Sequence, residues 1–358
     1  MSKKIAIIGT VGLPAKYGGF ETLTEYLTKY LTNDYDITVY CSAKSYDEHV
    51  ESYNGATLKY IGLNANGVQS IPYDIISIFK ALRYADTLLI LGVSGCSMLP
   101  VVRLFSPKRI VVNIDGLEWK RQKWNKYAKW FLKFSEKMAV KYADVVIADN
   151  RVIQEHVQNA YGKKSELIAY GADHVEHVAL SSEILSKYSY LSDPYAFTVC
   201  RIEPENNLHI ILEAMAQQNA LPLVMIGNWE NSEYGRALRV KYTDIEHIHL
   251  LDPIYDQNML NQIRSNCTVY LHGHSAGGTN PSLVEAMYLE LPILAYDVAY
   301  NRETTEHQAS YFHSTEDLAK RVSESSEESL KDNAERMYEI ARRRYVWKDI
   351  AEEYARLF

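Results

Sequence analysis

The stretch "CTVYLHGHSAGGTNPSLVEAMYLELPILAYD", residues 267–297, holds the reading that decides the fold. "CTVYL" and "LPILAYD" are short apolar runs with the length and side chains of buried strands, and "PSLVEAMYLE" between them is helical in character. Strand, helix and strand in that order make a βαβ unit, whose two strands lie parallel. The chain leaves the first strand through "HGHSAGGTN", where Asn280 fits a helix N-cap and Pro281 the first helical position. Gly277, Gly278 and Thr279 then present backbone amides just ahead of the helix, an arrangement that suits an anion. Glu285 follows Pro281 by four residues and shares its face one turn into the helix. A carboxylate there could accept both hydroxyls of a ribose while the turn holds a diphosphate. The plainer reading is a solvated helix glutamate, but Leu283, Val284, Ala286 and Met287 around it are apolar and belong to a buried segment.

The same alternation runs outward in both directions. "KIAIIG" (4–9), "DITVYC" (36–41), "TLLILG" (87–92), "RIVVNID" (109–115) and "DVVIAD" (144–149) form one series of strands with helical stretches between them. "AFTVCR" (196–201), "LPLVMIG" (221–227) and "HIHLLD" (247–252) lead into the opening stretch as a second series. Short continuous apolar strands spaced by helices are parallel and covered on both faces. The fold class is therefore α/β, with two Rossmann-like doubly wound domains, residues 1–180 and 181–344, and a ligand cleft expected at the carboxyl ends of their strands. The polar run "SSEILSKYSYLSDPY" (181–195) reads as the linker, and charged helix follows from 315 onward.

Composition narrows the function. The 358 residues are 47% hydrophobic and 23% charged, as in a folded globular protein. A net charge of −7 argues against nucleic acid as a partner held by the overall field. Cys41, Cys96, Cys200 and Cys267 stand singly without metal-ligand spacing, as reduced cytosolic thiols do. The N-terminus enters a strand within five residues, leaving no room for a signal peptide, and no uncharged apolar run is long enough to span a membrane. A cytoplasmic location is expected.

Two further strand-to-helix turns offer chemistry. In "GTVGLPAKYGGFE" (9–21), Gly18 and Gly19 would let backbone amides approach a phosphate or sugar at a helix start, or simply make a flexible connection. In "CRIEPENN" (200–207), Arg201 at a strand end can bridge two phosphate oxygens, or pair with Glu203 at the surface. Asp115 ends "RIVVNID", where it can orient or deprotonate a hydroxyl or merely cap the turn before Gly116. His272 and His274 are weak as a metal pair without a third ligand near them in sequence.

Taken together, "IGTVGLPAKYGGFETL", "VNIDGLEWKRQKW", "ADNRVIQEHV", "IAYGAD", "CRIEPENN", "LHGHSAGGTNPSLVEAM" and "YVWKDIAEEYARLF" resemble a GT-B glycosyltransferase of family 4. More closely the chain is similar to the bacterial branch that builds rhamnose-containing polysaccharides and carries an N-terminal DUF1972 domain. The resemblance implies two facing Rossmann-like domains, with the helix over 345–358 crossing back to brace the first. It implies a nucleotide-sugar donor, dTDP-L-rhamnose, on the second domain. There Glu285 would bind the ribose, Gly277, Gly278, Thr279 and Asn280 the diphosphate or sugar, and Arg201, Asn206 and Asn207 would complete the donor site. Gly18 and Gly19 would close on the diphosphate. Two departures from the wider family stand out: its first paired glutamate falls on Gly277, and its lysine five positions past the arginine is Asn206. The rhamnosyl branch is similar to this chain at both places.

The implied reaction retains anomeric configuration and needs no metal or other cofactor. No Asp-x-Asp stands at a strand end to hold a divalent cation. Arg201, helix N-termini and loop amides would carry the charge of the departing diphosphate, with Asp115 positioning the acceptor. The acceptor expected is a lipid-diphosphate-linked saccharide. "LEWKRQKWNKYAKWFLKF" (117–134) interleaves basic residues with aromatic ones, as suits an anionic membrane surface, and the same pattern fits a domain-edge helix with its aromatics in the core. Trp119, Lys120, Arg121, Lys123 and Trp124 are its candidates for the acceptor or membrane side, so the expected location is peripheral on the inner face of the cell membrane.

Overall fold

The computed structural model describes residues 2–16, 18–122, 124–218 and 220–358. They form two compact units, residues 1–170 with 347–358, and residues 171–346.

In the first unit, strands β1 (Lys3–Ile8), β2 (Tyr35–Ser42), β3 (Ser52–Tyr53), β4 (Ala56–Ile61), β5 (Thr87–Leu91), β6 (Arg109–Asn113), β7 (Val145–Ala148) and β8 (Glu166–Leu167) form one sheet in the order β3-β4-β2-β1-β5-β6-β7-β8. All neighbours are parallel except the β3–β4 hairpin. The central strands are unbroken apolar runs because helices cover both faces: Ile5, Ile7, Leu89 and Val111 are fully buried. Those helices include α1 (Gly19–Leu31), α2 (Ser70–Ala81), α3 (Leu99–Phe105), α4 (Lys126–Tyr142) and α5 (Arg151–Tyr161). The basic-aromatic run is thus helical only from Lys126; Glu118–Lys120 makes a single 3₁₀ turn before it.

The second unit opens with α6 (Ser182–Lys187) and continues β9 (Ala196–Val199), α7 (Leu208–Ala216), β10 (Leu223–Ile226), α8 (Glu233–Tyr242), β11 (Ile248–Leu251), α9 (Gln257–Ser265) and β12 (Val269–His272). It closes with α10 (Pro281–Tyr288), β13 (Ile293–Tyr296), α11 (Ala299–Thr304), β14 (Ser310–Phe312), α12 (Thr315–Glu324) and α13 (Glu327–Arg344). Its sheet is parallel, in the order β11-β10-β9-β12-β13-β14. The expected linker at 181–195 is part of this unit: it folds into α6 and a 3₁₀ turn that buries Leu191.

The division therefore falls after Tyr170 instead of after residue 180. Hydrogen bonds explain the shift. Ala172 N–H donates to the Tyr345 carbonyl at 2.7 Å, Val178 N–H to Ser265 Oγ at 3.1 Å, and Ser181 N–H to Gln262 Oε1 at 2.8 Å. These bonds fasten residues 172–181 to the second unit.

The last helix, α14 (Trp347–Ala355), belongs to the first unit. Its apolar residues recur at Trp347, Ile350, Ala351 and Tyr354, one helical face, and all four are buried. Trp347 stacks on Tyr26 of α1 with centroids 4.7 Å apart and planes 8° apart. Truncating a buried tryptophan of this kind to alanine costs about 3–5 kcal/mol.

Candidate functional site

In the second unit, β9 and β12 are neighbours, so the turns leaving their carboxyl ends lie side by side. After β9 the chain turns through Cys200 and Arg201 into a 3₁₀ turn, Pro204–Asn206, and Asn207 takes a left-handed conformation (φ 50°) before α7. Arg201 is exposed, and its guanidinium forms no ion pair among the described residues, not even with the neighbouring Glu203. Asn206 is buried; its Nδ2 donates to the Arg201 carbonyl at 2.7 Å, so it fixes the backbone that carries Arg201. Asn207 Nδ2 donates across to the Gly273 carbonyl at 2.9 Å.

The two turns touch at backbone level. A Cβ on Gly273 would stand 2.1 Å from the Asn206 carbonyl oxygen, so only glycine lets them meet. Ser275 completes the joint, donating from N at 2.9 Å and from Oγ at 2.8 Å to the Glu205 carbonyl. The Glu205 carboxylate is buried nearby with neither oxygen hydrogen-bonded among the described residues. A glycine-rich turn is thus needed for two reasons: close packing at Gly273, and a positive φ of 127° at Gly277.

Beyond it, α10 begins as its sequence dictates. Asn280 Oδ1 accepts from Ser282 N at 3.1 Å and from Ser282 Oγ at 2.8 Å, Pro281 is the first helical residue, and Tyr270 OH donates to Ser282 Oγ at 3.0 Å. Thr279 is buried and Gly278 half-buried beside this cap. The positive end of α10 and the amides before it make the turn electropositive.

One turn in, Glu285 is ionised and engaged. Its Oε2 pairs with Arg264 of α9, and its Oε1 lies 3.2 Å from His174 Nε2. Burial favours the neutral carboxyl, but the Arg264 guanidinium and His174 outweigh it and hold the group down at about 2. Neither partner was legible in sequence, because Arg264 arrives from α9 and His174 from the start of the unit. His272, at the end of β12, is fully buried with neither ring nitrogen hydrogen-bonded, and burial holds it neutral, down at about 3. It stacks on His274 at 4.4 Å. Among the described residues no group of three or more His, Cys, Asp or Glu is placed to hold a metal ion.

In the first unit, Gly18 caps α1 at φ 135°. A Cβ there would stand 1.9 Å from Glu21 Oε2. Glu21 lies buried under the turn, its Oε1 accepting from Val11 N at 2.7 Å and Thr10 Oγ1 at 3.1 Å, and burial raises its carboxyl above the ordinary range. Gly19 is the first residue of α1, so the Gly18–Gly19 amides face a helix start that already holds a carboxyl of its own.

Asp115 follows β6 at φ 61°, a costly conformation for a residue with a side chain, held because its N–H donates to Asn113 Oδ1 at 3.0 Å. Asn113 Nδ2 in turn donates to Tyr354 OH of α14 at 2.8 Å, so the last helix sets the turn that carries Asp115. Beyond it the indoles turn inward. Trp119 Nε1 donates to the buried Glu136 at 2.9 Å, Trp124 Nε1 to Glu118 at 2.9 Å, and Arg121 pairs with Glu118 at 2.6 Å. Lys120 is exposed, and Lys123 lies outside the described residues.

Comparison with known proteins gives these units their kinship. Residues 2–173 match the domain of unknown function DUF1972, and residues 185–344 match the glycosyl transferases group 1 domain. No curated protein matches the chain. Among solved structures it is similar to a sucrose-phosphate synthase from Thermosynechococcus elongatus (TM-score 0.82, 14% identity, covering 99% of this chain and 98% of that one). It is also similar to HepE from Anabaena in complex with UDP-glucose (TM-score 0.75, 15% identity, 99% of each chain). A third is the E. coli trehalose-6-phosphate protein bound with UDP-2-fluoro glucose (TM-score 0.73, 12% identity, 99% of each chain). At these identities the likeness establishes the fold, two α/β domains with parallel sheets of the GT-B kind.

Proposed function

From a chain built of a DUF1972 domain followed by a glycosyl transferases group 1 domain, we propose a retaining, metal-independent glycosyltransferase that moves L-rhamnose from dTDP-L-rhamnose to a lipid-diphosphate-linked saccharide of a bacterial cell-wall or capsular polysaccharide. The observation that carries the reading is the joint between the two turns. It sets Arg201, exposed and forming no ion pair among the described residues, on a turn joined to the one that leads into a capped helix start, and so offers a diphosphate both a full charge and a dipole.

In the transfer, the glycosyl–phosphate bond breaks as the anomeric carbon bonds to the acceptor oxygen, and the phosphate oxygens of the departing nucleotide take on one further negative charge. Arg201 and the amides of Gly277, Gly278 and Thr279 neutralise this charge more strongly in the transition state than in the bound donor. Glu285 accepts the ribose hydroxyls through the lone pairs that Arg264 and His174 leave open. Asn206 and Asn207 act indirectly by locking the turn. A donor-phosphate oxygen takes the proton of the acceptor hydroxyl, which Asp115 orients. The lipid-linked acceptor places the work at the inner face of the cell membrane, with no nucleic acid involved.

The test is calorimetric titration with dTDP, UDP and GDP in EDTA, followed by assay of rhamnosyl transfer from dTDP-L-rhamnose to a polyprenyl-diphosphate saccharide. Tight dTDP binding, lost in Arg201→Gln, and a product that keeps the anomeric configuration of the donor are expected. A preference for UDP, the nucleotide held by the HepE structure, or for GDP would keep the transferase and discard rhamnose. Binding without transfer to any acceptor would make the chain a nucleotide-binding subunit, a reading favoured by Asn206 where a second cation would stand. No binding at all would remove the donor site.

A further inference from the structure

We infer that α3 and α4 of the first unit form a docking face for an anionic lipid bilayer, in which α3, not the tryptophans before α4, supplies much of the apolar contact. The inference deepens the proposed function, since a lipid-linked acceptor lives at such a surface.

Exposure is the first observation. Leu104 and Phe105 of α3 are 77% and 81% exposed, and Tyr127, Trp130 and Phe134 of α4 are 73%, 70% and 41% exposed. Large apolar side chains so bare, on two adjacent helices, mark an interaction surface. α3 packs on α4, and Arg103 Nε ties the two by donating to the Tyr142 carbonyl at 2.8 Å. On α4 the exposed aromatics fall at i, i+3 and i+7, a single stripe, with Trp130 and Phe134 stacked at 5.9 Å. The opposite side of α4 buries Leu132, Ser135, Glu136 and Ala139 in the unit.

Charge identifies the occupant. Between Ser97 and Tyr142 the sequence has eleven Lys and Arg against three Asp and Glu, in a chain whose total is −7. Glu136 is buried under three donors (Trp119 Nε1, His156 Nε2 and Tyr161 OH), and Glu118 is committed to Arg121 and Trp124. The exposed side of α4 therefore carries cations only: Lys126, Lys133, Lys137 and Lys141 stand along the aromatic stripe. Aromatic rings between lysines suit the headgroup boundary, where rings sink and ammonium groups stay wet. No helix among the described residues is long and apolar enough to cross a membrane, so the contact proposed is peripheral.

The test is co-flotation of the full chain with vesicles of phosphatidylcholine alone and with phosphatidylglycerol added. Binding is expected only with the anionic lipid. Each lysine near such a surface is worth about fivefold in partitioning, so Lys126→Gln/Lys137→Gln/Lys141→Gln should weaken binding about a hundredfold. Leu104→Ser/Phe105→Ser and Trp130→Ser/Phe134→Ser should each weaken it at least tenfold. All three variants should bind dTDP as the parent does, which separates this inference from the donor site. Equal flotation of parent and variants, or none with intact nucleotide binding, would overturn the docking face. So would a concentration-dependent dimer in light scattering that Leu104→Ser/Phe105→Ser abolishes, because the face would then belong to a second copy.

Discussion

Glu285→Gln keeps the shape of the side chain and removes its charge, which makes it the sharpest probe of the second unit. Burial pushes the Glu285 carboxyl up, yet Arg264 and His174 bring it from an ordinary 4.5 down to about 2. A depression of that size makes the ionised form worth about 3 kcal/mol to folding. The folded group titrates below the unfolded one, so this stability is fully present above pH 4.5 and is lost as the pH falls through about 2. Glutamine imitates the protonated carboxyl at every pH, and it leaves Arg264, whose side chain is 5% exposed, with an uncompensated charge. The variant should therefore be about 3 kcal/mol less stable at neutral pH, a loss of roughly 6–12 °C in Tm. The gap should close as the parent is acidified. Urea unfolding of parent and variant, from pH about 7 down to about 3, measures it directly. A gap that is the same at both ends, or below about 1 kcal/mol at neutral pH, would refute the pairing of Glu285 with Arg264 as drawn.

Three other expectations follow from the same geometry. Arg201→Gln should lower kcat by a factor on the order of 10²–10³ while Tm stays within about 1 °C, because the guanidinium is exposed and supports nothing else. Equal loss of both would make it structural. Gly273→Ala drives a Cβ to 2.1 Å from the Asn206 carbonyl and should cost upwards of about 3 kcal/mol and abolish dTDP binding, read by calorimetry. A folded, binding variant would mean that the turns do not meet. His272, held at about 3 from an ordinary 6.5, stays neutral in the fold but protonates in the unfolded chain. Stability should thus fall as pH drops from 6.5 toward 3, and His272→Leu should remove that part of the fall in denaturant titrations.

How much of this was legible depended on how local the cause was. The Asn280–Pro281 start of α10 could be read because a cap and a proline act within three residues. The parallel sheets were readable because burial on both faces erases alternation from the strands. The partners of Glu285 were not, since nothing in "QNMLNQIRS" or "GADHVE" marks Arg264 or His174 as facing α10. The boundary after Tyr170 was hidden for a similar reason: residues 172–180 read as the end of the first domain, yet Val178 and Ser181 are held by distant side chains of α9. Nothing in "LPVVRLF" marks which of its apolar residues face out; the packing of α3 buries Leu99 and Val102 and leaves Leu104 and Phe105 exposed. Asn206 resembled a weakened cation site in sequence, whereas its buried amide turns back on its own loop.

The placement of α14 also orders events in time. During synthesis the strands of the first unit emerge early, yet Leu23, Leu27 and Tyr26 of α1 lack their covering helix until the whole second unit has been made. Until then the apolar face of α1 is open to water or to a chaperone, and Asn113 lacks the Tyr354 hydroxyl that steadies the Asp115 turn. The first unit to be translated is in this way the last to be finished. A nascent chain stalled near residue 340 should expose that face and hold Asp115 loosely, so the turn after β6 would be completed only once the second unit already exists.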